Sequence, residues 1–198
     1  MNASSRRNHA MRLSASDPER ALGLAEDIAE PWFAAQALAA VLRYCSAERT
    51  GVVMRRARAR ASRCGDAYGR GAVLAWVVRA LAERDLHAEA AEVLRTAVQE
   101  ALQATPAGSR GEALFLLYQA AHPLGPRVVE PVLRHLAAVQ REHSHWRVTR
   151  ALCRAGAMHS VMAPEFVESF FQLMGEPKLT ARVRRYAGLG FTSPRGFF

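Results

Sequence analysis

YGRGAVLAWVVRAL, residues 68–81, and GSRGEALFLLYQAA, residues 108–121, place the same kinds of residue at the same distances from a central leucine. WFAAQALAAVLRYC, residues 32–45, and WRVTRALCRAGAMH, residues 146–159, share that frame. Trp32, Tyr68, Gly108 and Trp146 each stand six residues before Leu38, Leu74, Leu114 or Leu152. Small residues fill the position three after the leading one: Ala35, Gly71, Gly111 and Thr149. Beyond the leucine the columns continue as Val41, Val77, Leu117 and Ala155, then as Leu42, Val78, Tyr118 and Gly156, and end at Cys45, Leu81, Ala121 and His159. Offsets of 0, +3, +4 and +7 trace one stripe along an α-helix. The segments begin 36, 40 and 38 residues apart, which is the period of units built from two helices.

Each segment is preceded by a second amphipathic stretch, so the spacing predicts helical pairs. Asp17 is a good N-cap and Pro18 sits where its missing N–H costs nothing. Glu30-Pro31 ends that first helix and starts the one carrying Trp32. The second pair spans about 46–64 and 66–85, the third 87–104 and, after a turn at 105–108, on to 121, the fourth 127–142 and 145–159. A further helix over 164–174 closes the array before Gly175-Glu176-Pro177. Gly71 and Gly111 each cost a helix interior about 1 kcal/mol relative to alanine. Their shared column points to a neighbouring backbone that passes too close for a side chain. The predicted class is all-α, a right-handed α-solenoid of about four hairpins plus a closing helix, spanning 17–177. Residues 1–16 read as a disordered basic tail and 178–198 as a basic, aromatic one.

The blocks PWFAAQALAAVL, AYGRGAVLAWVV, GSRGEALFLLYQ and HWRVTRALCRAG make the chain resemble the α-helical repeat superfamilies, the tetratricopeptide and HEAT-like groups in particular. The full tetratricopeptide signature is absent. The resemblance implies a superhelical scaffold that binds proteins or peptides, with no fixed catalytic residues to carry over.

The formal charge of +9 is concentrated at the ends. Residues 1–16 carry +3 and residues 178–198 carry +5, which leaves +1 for the body. Within the body, the helix over 53–64 gathers Val53, Met54, Ala57, Ala61 and Cys64 on one side and five arginines on the rest. Guanidinium groups in such a row suit phosphate or carboxylate. The helices before and after carry net charges of −4 (17–30) and −2 (86–105), so pairing within the molecule competes with binding outside it. The candidate partner-binding residues are Arg56, Arg60 and Arg63, with Arg134 and Arg141 as a second basic set. They would take an acidic segment of a protein or peptide partner on the face of the first helices. The alternative is nucleic acid, bound by this helix and the basic tails.

Other chemistry finds little footing. Three cysteines without CxxC spacing give neither a disulfide framework nor a zinc site. His135, His143 and His145 lack a completing ligand pattern. No P-loop, GxSxG or HExxH is present, and one lysine, Lys178, stands against 26 arginines. The expectation is therefore no enzyme, no cofactor and no metal. A DNA-processing pocket of the kind some HEAT-like enzymes build from aromatic and acidic residues would draw on Trp32, Trp76 or Trp146. No apolar run reaches membrane-spanning length and no signal peptide is evident, so the expected address is cytoplasmic. The tail over 178–198 combines five positive charges with Tyr186, Phe191, Phe197 and Phe198, which suits three ends: capping the last hairpin, docking on a partner, or stacking on single-stranded nucleic acid.

Overall fold

In the computed structural model, which describes residues 2–198, the chain is all-α. Its helices are α1 (Ala3–Leu13), α2 (Pro18–Glu26), α3 (Pro31–Leu42), α4 (Ala47–Ala61), α5 (Ala67–Ala82) and α6 (His87–Leu102). After them come α7 (Ala107–Ala121), α8 (Pro126–Glu142), α9 (Trp146–Met162), α10 (Pro164–Leu173) and α11 (Pro177–Gly188). No strand occurs among the described residues.

The odd-numbered helices pack on one another in order, α1 on α3, α3 on α5, α5 on α7, α7 on α9 and α9 on α11. Each even-numbered helix packs on the helices before and after it in the chain. An inner row is thus flanked by an outer one, and side-chain size accounts for the difference. In α3 every residue from Ala34 to Leu42 is buried, and five of them are alanine. Small side chains let inner axes approach closely on more than one side, whereas the outer helices keep a single apolar stripe.

The aligned columns form the core. Leu38, Leu114 and Leu152 are fully buried and Leu74 nearly so, each contributing about 1.5–3 kcal/mol. A Cβ on Gly71 would lie 2.8 Å from the backbone nitrogen of Ala101 in α6, and one on Gly111 would lie 3.2 Å from Cα of Val148 in α9. The close backbone approach expected of this column is there at both glycines. The arginines preceding them act alike. Arg70 donates to the carbonyl oxygen of Cys64 at 3.4 Å and Arg110 to that of Ala104 at 3.1 Å, so each satisfies an acceptor just past an outer helix. Each also faces a carboxylate of the next outer helix, Glu100 at 2.8 Å and Glu142 at 3.9 Å.

Both ends depart from the expected tails. Residues 3–13 form α1, because Asn2 caps it by accepting from the Ser5 amide at 2.8 Å. Ala10 is buried, and Arg7 lies 5.2 Å over the Phe33 ring while donating to Gln36 Oε1 at 2.7 Å. Packing on α3 supplies what the weak periodicity lacks. Residues 177–188 form α11, which buries Leu179 and Val183, one turn apart, against α9. The helix over 164–173 is therefore followed by another rather than ending the array.

Candidate functional site

The five arginines singled out from the sequence do not converge. Arg56 forms an ion pair with Glu26 of α2, and Arg60 donates to the Glu26 carbonyl oxygen at 2.8 Å. Neighbouring arginines follow suit, Arg49 with Glu19 and Arg58 with Glu92, both at 3.2 Å. Arg63 is exposed at the end of α4, beside Trp32 and Tyr68. On α8, Arg134 pairs with Glu130 at 2.6 Å and covers the Phe166 ring at 5.4 Å. Arg141 is exposed, with no ion pair among the described residues. The acidic outer helices draw in most of the basic face of α4, as their charge implies. Such exposed pairs are worth about 0–1 kcal/mol each.

Convergence occurs on the inner row instead. An open pocket of about 380 Å³ is lined by Trp32 and Gln36 of α3, Tyr68 and Trp76 of α5, Glu112, Phe115, Leu116 and Gln119 of α7, Arg150 and Arg154 of α9, and Arg195 beyond α11. Four successive inner helices thus contribute to one site. Helical spacing explains this, since Trp32 and Gln36, Glu112 and Leu116, and Arg150 and Arg154 are each four residues apart and share a helix face.

Three arginines and one carboxylate set the electrostatics of the pocket. Glu112 sits 3.3 Å from Arg150 and 3.9 Å from Arg147, so it serves as a shared counter-ion. Arg154 has no carboxylate partner among the described residues and lies over two rings instead, Phe115 at 5.3 Å and Phe191 at 5.1 Å. Trp32 and Tyr68 stack with centroids 6.2 Å apart and planes 11° from parallel. Burial, together with the Glu112 carboxylate, raises the Tyr68 phenol pKa against the opposing pull of Arg195. Two glutamines complete the floor. Gln36 and Gln119 are each 3% exposed, and Gln36 Oε1 accepts from Arg7 at 2.7 Å. A carboxamide held this way keeps a donor and an acceptor for whatever enters.

A more enclosed polar group lies where α7 packs on α9. The Tyr118 hydroxyl and His159 Nδ1 are 3.0 Å apart in the core, and His159 Nε2 and His122 Nε2 are buried without partners. Burial lowers the pKa of both histidines, with Glu130 opposing the shift at His159 and a backbone hydrogen bond to Met158 opposing it at His122. Elsewhere, His145 caps α9 by accepting from the Arg147 amide at 3.2 Å. Among the described residues no three His, Cys, Asp or Glu side chains come together as a metal-ligand set. No helix of the described residues is long and apolar enough to cross a membrane.

Of the tryptophans considered for a pocket, Trp32 and Trp76 line this one, and Trp146 is 60% exposed outside it. Sequence reasoning missed Gln36, Glu112, Gln119, Arg150 and Arg154. A signal existed, because positions two before and two after the aligned leucine hold Gln36 and Ala40, Ala72 and Trp76, Glu112 and Leu116, Arg150 and Arg154. That polar and aromatic variety interrupts otherwise apolar helices, and six of these eight positions line the pocket. In comparisons with known proteins, no family model, no curated protein and no solved structure matches this chain.

Proposed function

We propose that this chain is a non-enzymatic helical-repeat scaffold, a right-handed α-solenoid of four hairpins flanked by α1 and by α10 with α11. Along its inner helices it binds an extended segment of a partner protein that carries carboxylate and aromatic side chains. The observation that carries this reading is the pocket shared by four successive inner helices, with its surplus of guanidinium groups, its ring walls and its two buried carboxamides. Arg150 and Arg154 supply charge for carboxylates. Trp32, Tyr68, Trp76 and Phe115 supply stacking surface, and Gln36 and Gln119 match the donor and acceptor of a peptide unit.

Two features favour a peptide over a nucleic acid. Glu112 already occupies Arg147 and Arg150, so the guanidinium surplus of the pocket is small and suits one or two carboxylates rather than a run of phosphates. The arginine-rich helix α4 is drawn into pairs with Glu26 and Glu92. An acid–base mechanism finds one carboxylate in the lining, already shared by two arginines, and no histidine beside it. The free thiols Cys45, Cys64 and Cys153 accord with a reducing, cytoplasmic setting.

Selection from a random peptide display library tests the reading, run on the full chain and on Arg150→Glu/Arg154→Glu. The expected result is enrichment of sequences with Asp or Glu next to an aromatic residue, lost on the double variant while its circular dichroism is unchanged. Enrichment indifferent to the variant overturns the site. Oligo-dT binding tighter than any selected peptide, with a log–log salt slope of several units, overturns the partner class.

A further inference from the structure

Beyond Phe191, whose amide donates to the Tyr186 carbonyl oxygen at 3.0 Å, the chain leaves α11 and returns across the inner row. Phe191 meets Arg154 of α9, Arg195 lines the central pocket, and Phe197 and Phe198 end against α5 and α3. Both terminal rings meet Trp76 edge-on, Phe197 at 5.4 Å and 81°, Phe198 at 5.3 Å and 84°. The guanidinium of Arg43 lies 4.3 Å from the Phe198 centroid. Phe197 is only 5% exposed, as buried as a core residue.

The seat is firmly built and its occupant loosely tied. Arg43 is braced by Glu83 at 2.6 Å, and Glu83 by Arg79 at 2.6 Å, so the cationic plate belongs to α3 and α5 and does not depend on the tail. Trp76 Nε1 and Arg79 Nη1 are buried without partners, which leaves donors for a backbone or carboxylate oxygen of an occupant. Residues 192–198, by contrast, make no hydrogen bond and no ion pair among the described residues. Burial of the Phe197 ring and the contacts of both rings hold them. A segment without backbone hydrogen bonds to its support opens at low cost compared with the helices beneath it.

We infer that Trp76 and Arg43 form a two-ring subsite for adjacent aromatic side chains on an extended peptide, which residues 192–198 fill in cis until a partner displaces them. This rests on the groove-binding reading and extends it, naming the aromatic pair as the feature recognised at the α3–α5 end. Arg150 and Arg154 take the acidic part nearer α9. A tethered occupant works at an effective concentration of about 1 mM, so the wild-type chain binds partners more weakly than an emptied one by the fraction of time the seat is free.

The test uses the full chain and two labelled probes with acetyl and amide ends, TSPRGFF, the sequence of residues 192–198, and TSPRGAA. Phe197→Ala/Phe198→Ala empties the seat, and Phe198→Ala, which removes the more exposed ring, serves if the double variant fails to fold. The expected result is that the emptied protein binds TSPRGFF at least about tenfold more tightly than wild type does, with TSPRGAA bound by neither. Arg43→Ala added to the emptied protein should then weaken the probe again. Equal binding of the two probes, or equal binding by wild type and emptied protein, overturns the subsite. Arg150 and Arg154 are intact throughout, so acidic-peptide binding in the same preparations assigns such a failure to the subsite, and its loss assigns it to the groove.

Discussion

Arginine on α4 and arginine on α9 are the same side chain in opposite circumstances. The outer helix α4 lies between α2 and α6, whose glutamates reach Arg49, Arg56 and Arg58. On the inner helix α9, Arg147 and Arg150 share the single carboxylate of Glu112, and Arg154 rests on rings. Density of one charge along a helix therefore says little about binding. What decides is the charge on the helices packed beside it, and here the sparser set of arginines is the one left with capacity.

Packing divides the same two rows, and the largest expected effect tests that division. Gly71→Val should cost about 3 kcal/mol in urea unfolding, because the Cβ meets the Ala101 backbone and no flexible side-chain end can yield. Gly51→Ala on α4, where the Cβ meets just the end of Arg55 at 3.4 Å, should be neutral or stabilising by up to about 1 kcal/mol. Equal costs at the two sites would erase the distinction between a tight inner row and an open outer one.

Binding should split the rows next. Arg150→Glu/Arg154→Glu is expected to weaken a selected acidic peptide by about tenfold or more, equivalent to about 1.4 kcal/mol. Arg56→Glu/Arg60→Glu/Arg63→Glu should change it by less than about threefold, apart from a long-range charge effect that salt removes. A reversed order in a fluorescence titration would return the site to the outer helices.

A third effect belongs to two histidines, the buried His159 of α9 and the half-buried His122 just after α7. Burial lowers the pKa of His122 and His159 in the folded protein, so below about pH 6.5 the unfolded chain takes up protons that the folded one does not. Their contribution to stability is complete above that pH and is lost as pH falls toward the folded-state values. Denaturation midpoints from pH 7.5 to 5 should decline, and His159→Gln should flatten the decline. Tyr118→Phe should cost about 1 kcal/mol through the hydrogen bond that it removes. Smallest of all, a double-mutant cycle on Arg56 and Glu26 should give about 0.5 kcal/mol of coupling, and a value several times larger would mean that the outer pairs brace the fold.

The sequence was legible wherever the physics is periodic. The columns around Leu38, Leu74, Leu114 and Leu152 foretold buried stripes, and the glycines at 71 and 111 foretold close backbone approach. At the ends, charge and local propensity outweigh two weak clues to α1 and α11, a capping Asn2 and the spacing of Leu179 with Val183. The pocket was hidden for a different reason. Its residues interrupt apolar helices one at a time, Gln36 here and Glu112 there, and become a site when consecutive helices bring those single positions side by side.

The principal contacts between helices join those one or two places apart in chain order, so the array alone links its ends through many short steps. The rings of Phe197 and Phe198 on Trp76 bypass those steps and join the last residues to a helix in the first half of the chain. In mechanical terms the molecule is a row of leaves held by a strap. Without the strap, the last residues reach α5 through the stacked helices alone.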